Sequence, residues 1–143
     1  MPKPSTVCVD ANLVFRRVAE PDAAVIQNLW RQWSATGRTC AAPRLMRYEV
    51  TNALHRAHQH GFLTAPAAAA ALRLVLDMPI RLHDEAPLHE RAFELADRFT
   101  LPAAYDAHYL ALAEHLIAEF WTTERRLTSK VQASLPWVHL VEA

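Results

Sequence analysis

The chain has 143 residues, 52% of them hydrophobic and 21% charged, which suits one domain with a buried core and excludes a disordered segment. Lys and Arg number 15, as do Asp and Glu, so no overall field marks the surface for nucleic acid and any such contact must come from a local patch. No run reaches membrane-spanning length, and Met1 to Val9 lacks the apolar centre of a secretory leader. Together with Cys8 and Cys40, which sit in short apolar runs and read as reduced core thiols, this leads to the expectation of a single cytoplasmic domain over residues 1–143.

Thr6 to Val9 is a β-rich run ending in Asp10-Ala11-Asn12, and Leu13-Val14-Phe15 behind it reads as a turn into helix. Pro21-Asp22 is placed to open the next helix and Gly37 to end it, with Val25, Ile26, Leu29, Trp30 and Trp33 as a broad apolar stripe. Thr39 to Ala42 is a second strand, closed by Pro43. Arg44 to His60 reads as a helix stopped by Gly61, and Thr64 to Met78 as another, rich in alanine. Pro79 to His83 is a third strand. Pro87 to Thr100 is an amphipathic helix with Leu88, Ala92, Leu95, Ala96 and Phe99 on one face.

Ala103 to Ile117 carries a wide apolar face of Tyr105, Tyr109, Leu112 and Leu116 flanked by Leu110, Ala113 and Ile117, the pattern of a helix laid on a sheet. A strand from Ala118 to Thr122, a short basic helix from Glu124 to Ala133 and a last strand from Trp137 to Val141 complete the chain. Strands alternating with helices predict a three-layer α/β domain around a mostly parallel sheet. With only two glycines there is no Gly-rich loop, which removes dinucleotide-binding and P-loop readings.

In such a sheet ligands bind at the carboxyl ends of the strands. Asp10 ends the first strand and Glu124 follows the fourth, behind Thr122-Thr123. Asp106 opens the helix leading into that fourth strand, in line with Leu110, Ala113 and Ile117. Glu49 lies five residues after Arg44, roughly 7–8 Å down its helix, beside the stripe of Met46, Val50, Ala53, Leu54 and Ala57. Four acids from four segments are thus expected on one rim. Carboxylates gathered together repel unless protons or a cation intervene, and hard divalent ions such as Mg²⁺ or Mn²⁺ suit an all-oxygen set. No Ser-His or Cys-His nucleophile accompanies them, so metal-assisted phosphodiester hydrolysis is the chemistry this set favours. The plainer alternative is that Asp10, Asp106 and Glu124 only stabilise helix starts; a mid-helix Glu49 gains nothing from capping.

Arg44, Arg47, Arg125, Arg126 and Lys130 fall beside this rim and could hold phosphates, or could be solvated surface charges. His55, His58 and His60 read as a surface cluster at a helix end, since no Cys or acid completes a tetrahedral zinc set. The Trp30/Trp33 stripe reads as core or interface, its width leaving room for an apolar groove.

The segments VDANLV around Asp10, RYEVTNAL around Glu49, YDAHYLALAE around Asp106 and WTTERRL around Glu124 resemble, in order, those of PIN-domain ribonucleases of the VapC toxin type, over Val7 to Val141. The resemblance implies a five-stranded parallel sheet with helices on both faces. It also implies a Mg²⁺- or Mn²⁺-dependent endoribonuclease acting on RNA, commonly a homodimer, inhibited by a cognate antitoxin protein. By position Asp10, Glu49 and Asp106 match the acidic metal site. Glu124 falls where the family more often has Asp, one methylene shorter, so a water-mediated role is implied there. Asn12 and Thr122 match polar positions that orient carboxylates or water. The rival reading, from a different class, is a catalytically inactive PIN-like binding or interaction module.

Overall fold

The computed structural model of the protein describes residues 5–142. Strands β1 (Thr6–Val9), β2 (Thr39–Pro43), β3 (Ile80–His83), β4 (Glu119–Thr122) and β5 (Val138–Leu140) form one sheet in the order β3-β2-β1-β4-β5. All four pairings are parallel, so the sheet is wholly rather than mostly parallel. Parallel neighbours need long crossovers and cover on both faces. The crossovers supply helices α1 (Ala11–Ala19), α2 (Ala24–Ala35), α3 (Leu45–Gln59), α4 (Ala65–Asp77), α5 (Ala86–Arg98), α6 (Tyr105–Leu116) and α7 (Arg125–Val131). α6 lies on β1, β2 and β4 with α5 packed beside it; α1, α3 and α4 pack together, α1 against β4 and α3 against β2. Val7, Cys8 and Val9 in central β1 are fully buried, as a strand covered on both faces must be.

The chain moves outward from β1 through β2 to β3, then returns to β4 on the other side of β1. The strand order therefore reverses between β1 and β4, and the carboxyl ends of these two strands border the crevice where ligands of open α/β sheets bind.

Two sequence expectations need correction. Pro21-Asp22 do not open α2: Ala23 N donates to Glu20 O at 3.0 Å, a tight turn with Pro21 at its second position, and the helix begins at Ala24. Proline's fixed φ suits that turn position as well as a helix start. Gln27, buried in α2, then donates through Nε2 to the carbonyls of Arg17 and Glu20, both at 3.1 Å, satisfying the end of α1.

Tyr105 and Ile117 are the second correction, being 63% and 84% exposed rather than part of the apolar face. A helix the length of α6 spans about 18 Å, whereas a four-residue strand spans only about 13 Å, so both helix ends overhang the sheet. Its middle is buried all round, from Leu110 to Ala113. Ile117 closes the helix in the left-handed region, φ 51°, with Ala118 N donating to Ala113 O at 2.9 Å, in a position normally taken by glycine. Gly37 and Gly61 end α2 and α3 with φ of 68° and 78°.

Trp30 and Trp33 are core residues, packed edge-to-face at 5.0 Å, and Trp33 meets Trp121 of β4 at 6.0 Å. Cys8 and Cys40 are free thiols, pushed by burial up to about 12 and about 11, so both stay protonated. His55, His58 and His60 are exposed at the end of α3.

Candidate active site

Asp10 is the first residue beyond β1 and only 7% exposed. Its Oδ1 accepts from Leu13 N at 2.8 Å, capping α1. Its Oδ2 accepts from the Thr122 hydroxyl at 2.5 Å and from Thr123 N at 3.1 Å. A carboxylate has about four acceptor sites, so these three bonds leave about one for a further contact. Desolvation raises Asp10 from 3.8 to about 6, against the pull of its three donors, and nearby Glu124 adds to the rise. The capping reading therefore holds for Asp10 without accounting for its burial.

Thr122 is fully buried at the end of β4, and its hydroxyl also accepts from Glu124 N at 2.9 Å. One side chain thus ties together the carboxyl ends of both strands at the crevice and the start of α7. Glu124 stands at the N-cap position of α7 but makes no side-chain capping bond, and it is exposed. Asn12 does not reach a carboxylate: its Nδ2 donates to Thr123 Oγ1 at 2.6 Å, fixing the loop whose backbone binds Asp10.

Glu49, half-buried in the second turn of α3, accepts from the Tyr109 hydroxyl at 2.6 Å through Oε1. Tyr109 comes from the middle of α6, is 2% exposed and has its ring 5.7 Å from that of Phe120. Burial raises the Glu49 carboxyl, Tyr109 partly lowers it, and Asp106 raises it again. Asp106, half-buried in the first turn of α6, is raised by burial and then by Glu124. Tyr109 lies well above 10 because it is buried and faces the charges of Glu49, Asp10 and Asp106, so it serves as a hydrogen-bond donor. All four acids are consequently joined in one electrostatic group with Tyr109 at its base. Nothing in the sequence marked Tyr109 as more than core; the only signal was that a buried tyrosine needs a partner for its hydroxyl.

The donor set is oxygen only, and burial and mutual repulsion make its charge costly, which is the environment a hard divalent cation relieves. Among the described residues, however, no three His, Cys, Asp or Glu side chains are grouped as a ready-made ion site. The chemistry of Asp10, Glu49, Asp106 and Glu124 fits an ion that takes one or two of these carboxylates directly and meets the others through retained waters. Mg²⁺ commonly binds in this manner.

Asp106 and Glu124 open into a cleft of about 760 Å³ whose wall carries Arg125, Arg126 and Lys130. Lys130 Nζ donates to Thr100 O at 3.2 Å, and Arg125 pairs with Glu142 at 3.3 Å. Arg126 is exposed and has no side-chain partner among the described residues. Arg44 and Arg47 do not line this cleft. They border a hollow of about 690 Å³ along α3, and Arg47 donates to Leu76 O at 3.4 Å.

A wholly parallel five-stranded sheet with acids gathered at its switch point defines a PIN-like α/β domain. The crystal structure of PAE2754 from Pyrobaculum aerophilum matches with a TM-score of 0.64 and 27% identity over 87% of this chain and 85% of that one. A toxin–antitoxin complex from Klebsiella pneumoniae (TM-score 0.65, 19% identity, 92% and 94% covered) and Mycobacterium tuberculosis VapC20, a sarcin–ricin loop cleaving toxin (0.63, 18%, 87% and 95%), share the fold. No family model matches the sequence. The chain is 32% identical over 94 residues to VapC ribonuclease Mb0985 of Mycobacterium bovis and to ribonuclease VapC9 of Mycobacterium tuberculosis, a match covering 66% of this chain and 72% of each relative. The protein belongs to the VapC ribonuclease family.

Proposed function

We infer that the protein is a Mg²⁺- or Mn²⁺-dependent endoribonuclease and the toxin of a toxin–antitoxin pair. The observation that carries this reading is the convergence of Asp10, Glu49, Asp106 and Glu124, drawn from four segments, on one crevice beside a basic cleft. Kinship with proteins named as VapC ribonucleases supports the substrate class.

A bound divalent ion would supply an activated water and a counter-charge for the scissile phosphate. The chain's own groups do the rest. Thr122, Thr123 N and Leu13 N fix Asp10 in one orientation, and Tyr109 fixes Glu49, so the carboxylates meet the ion pre-organised. Arg125, Arg126 and Lys130 hold backbone phosphates in the cleft. Glu124, exposed on the wall of the cleft that Asp106 also lines, would accept the proton of the attacking water at its carboxylate.

Substituting Asp10→Asn or Asp106→Asn tests the reading: metal-dependent cleavage of RNA should disappear while circular dichroism and thermal unfolding remain those of a folded protein. Unchanged cleavage in both variants rejects it. An antitoxin segment would dock on the apolar cavity of about 430 Å³ lined by Val18, Trp30, Trp33, Leu74 and Ile80, at the opposite end of the strands from the acids. Light scattering of the purified chain tests the homodimer that goes with this reading.

A second reading, an inactive PIN-like binding module, draws on the three bonds already made by Asp10 and on the absence of a ready-made ion site among the described residues. Mn²⁺ titration followed by an RNA assay separates the two, since tight binding of the ion without cleavage favours the module.

A further inference from the structure

Asp106 lines the basic cleft already described, and the residue before it, Tyr105, lines a second and smaller hollow of about 190 Å³. Its floor is apolar, formed by Pro43, Leu45 and Leu88. Tyr105, 63% exposed, stands as one wall. Pro43 and His83, the last residues of β2 and β3, are paired in the sheet and place the hollow on the same strand-end rim as Asp10 and Thr122.

Its polar side is a hydrogen-bonded chain. His108 Nδ1 lies 2.7 Å from Ala104 O, His108 Nε2 lies 3.0 Å from His89 Nδ1, and His89 Nε2 lies 2.9 Å from Asp84 Oδ1. A carbonyl and a carboxylate only accept, so the outer two contacts fix protons on His108 Nδ1 and His89 Nε2. The inner nitrogens, meeting at 68° between rings, are left to share a further proton or to turn toward another partner. Arg44, exposed and without a side-chain partner among the described residues, guards the mouth.

An aromatic wall, an apolar floor sized for one planar ring system, and imidazoles with adaptable donor–acceptor polarity make up the chemistry that recognises an unstacked nucleobase. We propose that this hollow is a base-specificity subsite, taking the base of the nucleotide next to the scissile phosphate while Arg44 contacts that nucleotide's phosphate. A strand laid across the acids then occupies both concavities: its backbone follows the basic cleft, and one base enters beside Tyr105. The hollow reads sequence and the cleft does not, because phosphates are the same in every nucleotide. This assignment rests on the ribonuclease reading for its substrate, but the pocket can be tested without turnover.

Cleavage sites of the wild type, Tyr105→Ala and His89→Ala on a randomised RNA pool, mapped by sequencing, provide the first test. Loss of one stacked base should lower kcat/KM on the preferred RNA by about 5- to 100-fold. It should also make one position beside the cut degenerate, while Mn²⁺ binding is retained. Identical cleavage profiles in all three proteins overturn the proposal. For the second test, nucleoside monophosphates are titrated at millimolar concentration into the Asp10→Asn protein while the His89 and His108 imidazole signals are followed by NMR. Shifts that vanish on adding Tyr105→Ala are expected, and no shift with any of the four bases overturns the subsite. Should the wild type cut no RNA while mononucleotides still move these signals, the ribonuclease reading falls and the base pocket stands.

Discussion

The hydroxyl of Thr122 donates to Asp10 Oδ2 at 2.5 Å across a sequence separation of 112 residues, joining the carboxyl ends of the two strands between which the sheet reverses its order. The same oxygen accepts from Glu124 N at 2.9 Å, so the hydroxyl serves both directions of one hydrogen-bond line. Replacing it with the isosteric valine leaves a buried carboxylate short of a donor and a backbone N–H without its acceptor. Thr122→Val should therefore destabilise the fold by roughly 1–3 kcal/mol, read as a lower urea midpoint, and should reduce RNA cleavage. Thr122→Ser, which keeps the oxygen, should recover most of both.

Asp10 makes the metal-free protein sensitive to mild acid in an unusual direction. Its folded-state value of about 6 lies above the 3.8 of an ordinary Asp, so between these limits the folded chain binds more protons than the unfolded one. Its contribution to stability is greatest below about pH 4 and falls as pH rises through 6, by an amount on the order of 3 kcal/mol. Thermal melts in chelator should show this decline superimposed on the titration of other groups, and Asp10→Asn should remove it. Adding Mn²⁺ at pH 7 should restore stability to the wild type and not to the variant.

Ile117 is a β-branched residue held at φ 51° with its side chain 84% exposed. Strain there costs roughly 1–2 kcal/mol, and removing the side chain would sacrifice little packing. After allowing for the flexibility glycine adds to the unfolded chain, Ile117→Gly should stabilise by about 1 kcal/mol or somewhat less, raising Tm by roughly 3 °C. Activity should not change, since Ile117 lies at the far end of α6 from Asp106.

Arg126, which has no side-chain partner among the described residues and lines the basic cleft, should contribute to RNA binding without regard to sequence. In the non-cleaving Asp10→Asn background, Arg126→Ala should weaken binding of every single-stranded RNA alike. The slope of log affinity against log salt should become shallower by about 0.7 for each phosphate that is no longer neutralised. Weakening confined to particular sequences would place Arg126 at a base instead.

Alternation of short β-rich runs with amphipathic stretches fixes the order of strands and helices, because hydrophobic periodicity is written locally into the chain. Three of the acids are legible for a similar reason: Asp10, Asp106 and Glu124 each stand at a strand end or helix start, and a wholly parallel sheet brings all its strand ends to one side, whereas Glu49 showed itself only as a mid-helix charge beside an apolar stripe. Periodicity misled at Tyr105 and Ile117, since it counts residues along the helix and knows nothing of how far the underlying strands extend. Proline misled at Pro21 because one fixed φ serves a turn and a helix start equally.

Only the folded chain decides the pairings between distant segments. That Thr122 holds Asp10, that Tyr109 holds Glu49, and that Arg125 and Arg126 share a cleft with Asp106 while Arg44 and Arg47 do not, all depend on which side chains meet after the helices pack. Hydrogen bonds and charge repulsion act over a few ångströms in space, whereas sequence patterns report only neighbours along the chain. The sequence determined which residues could carry the chemistry; packing determined which oxygen each one presents, and to whom.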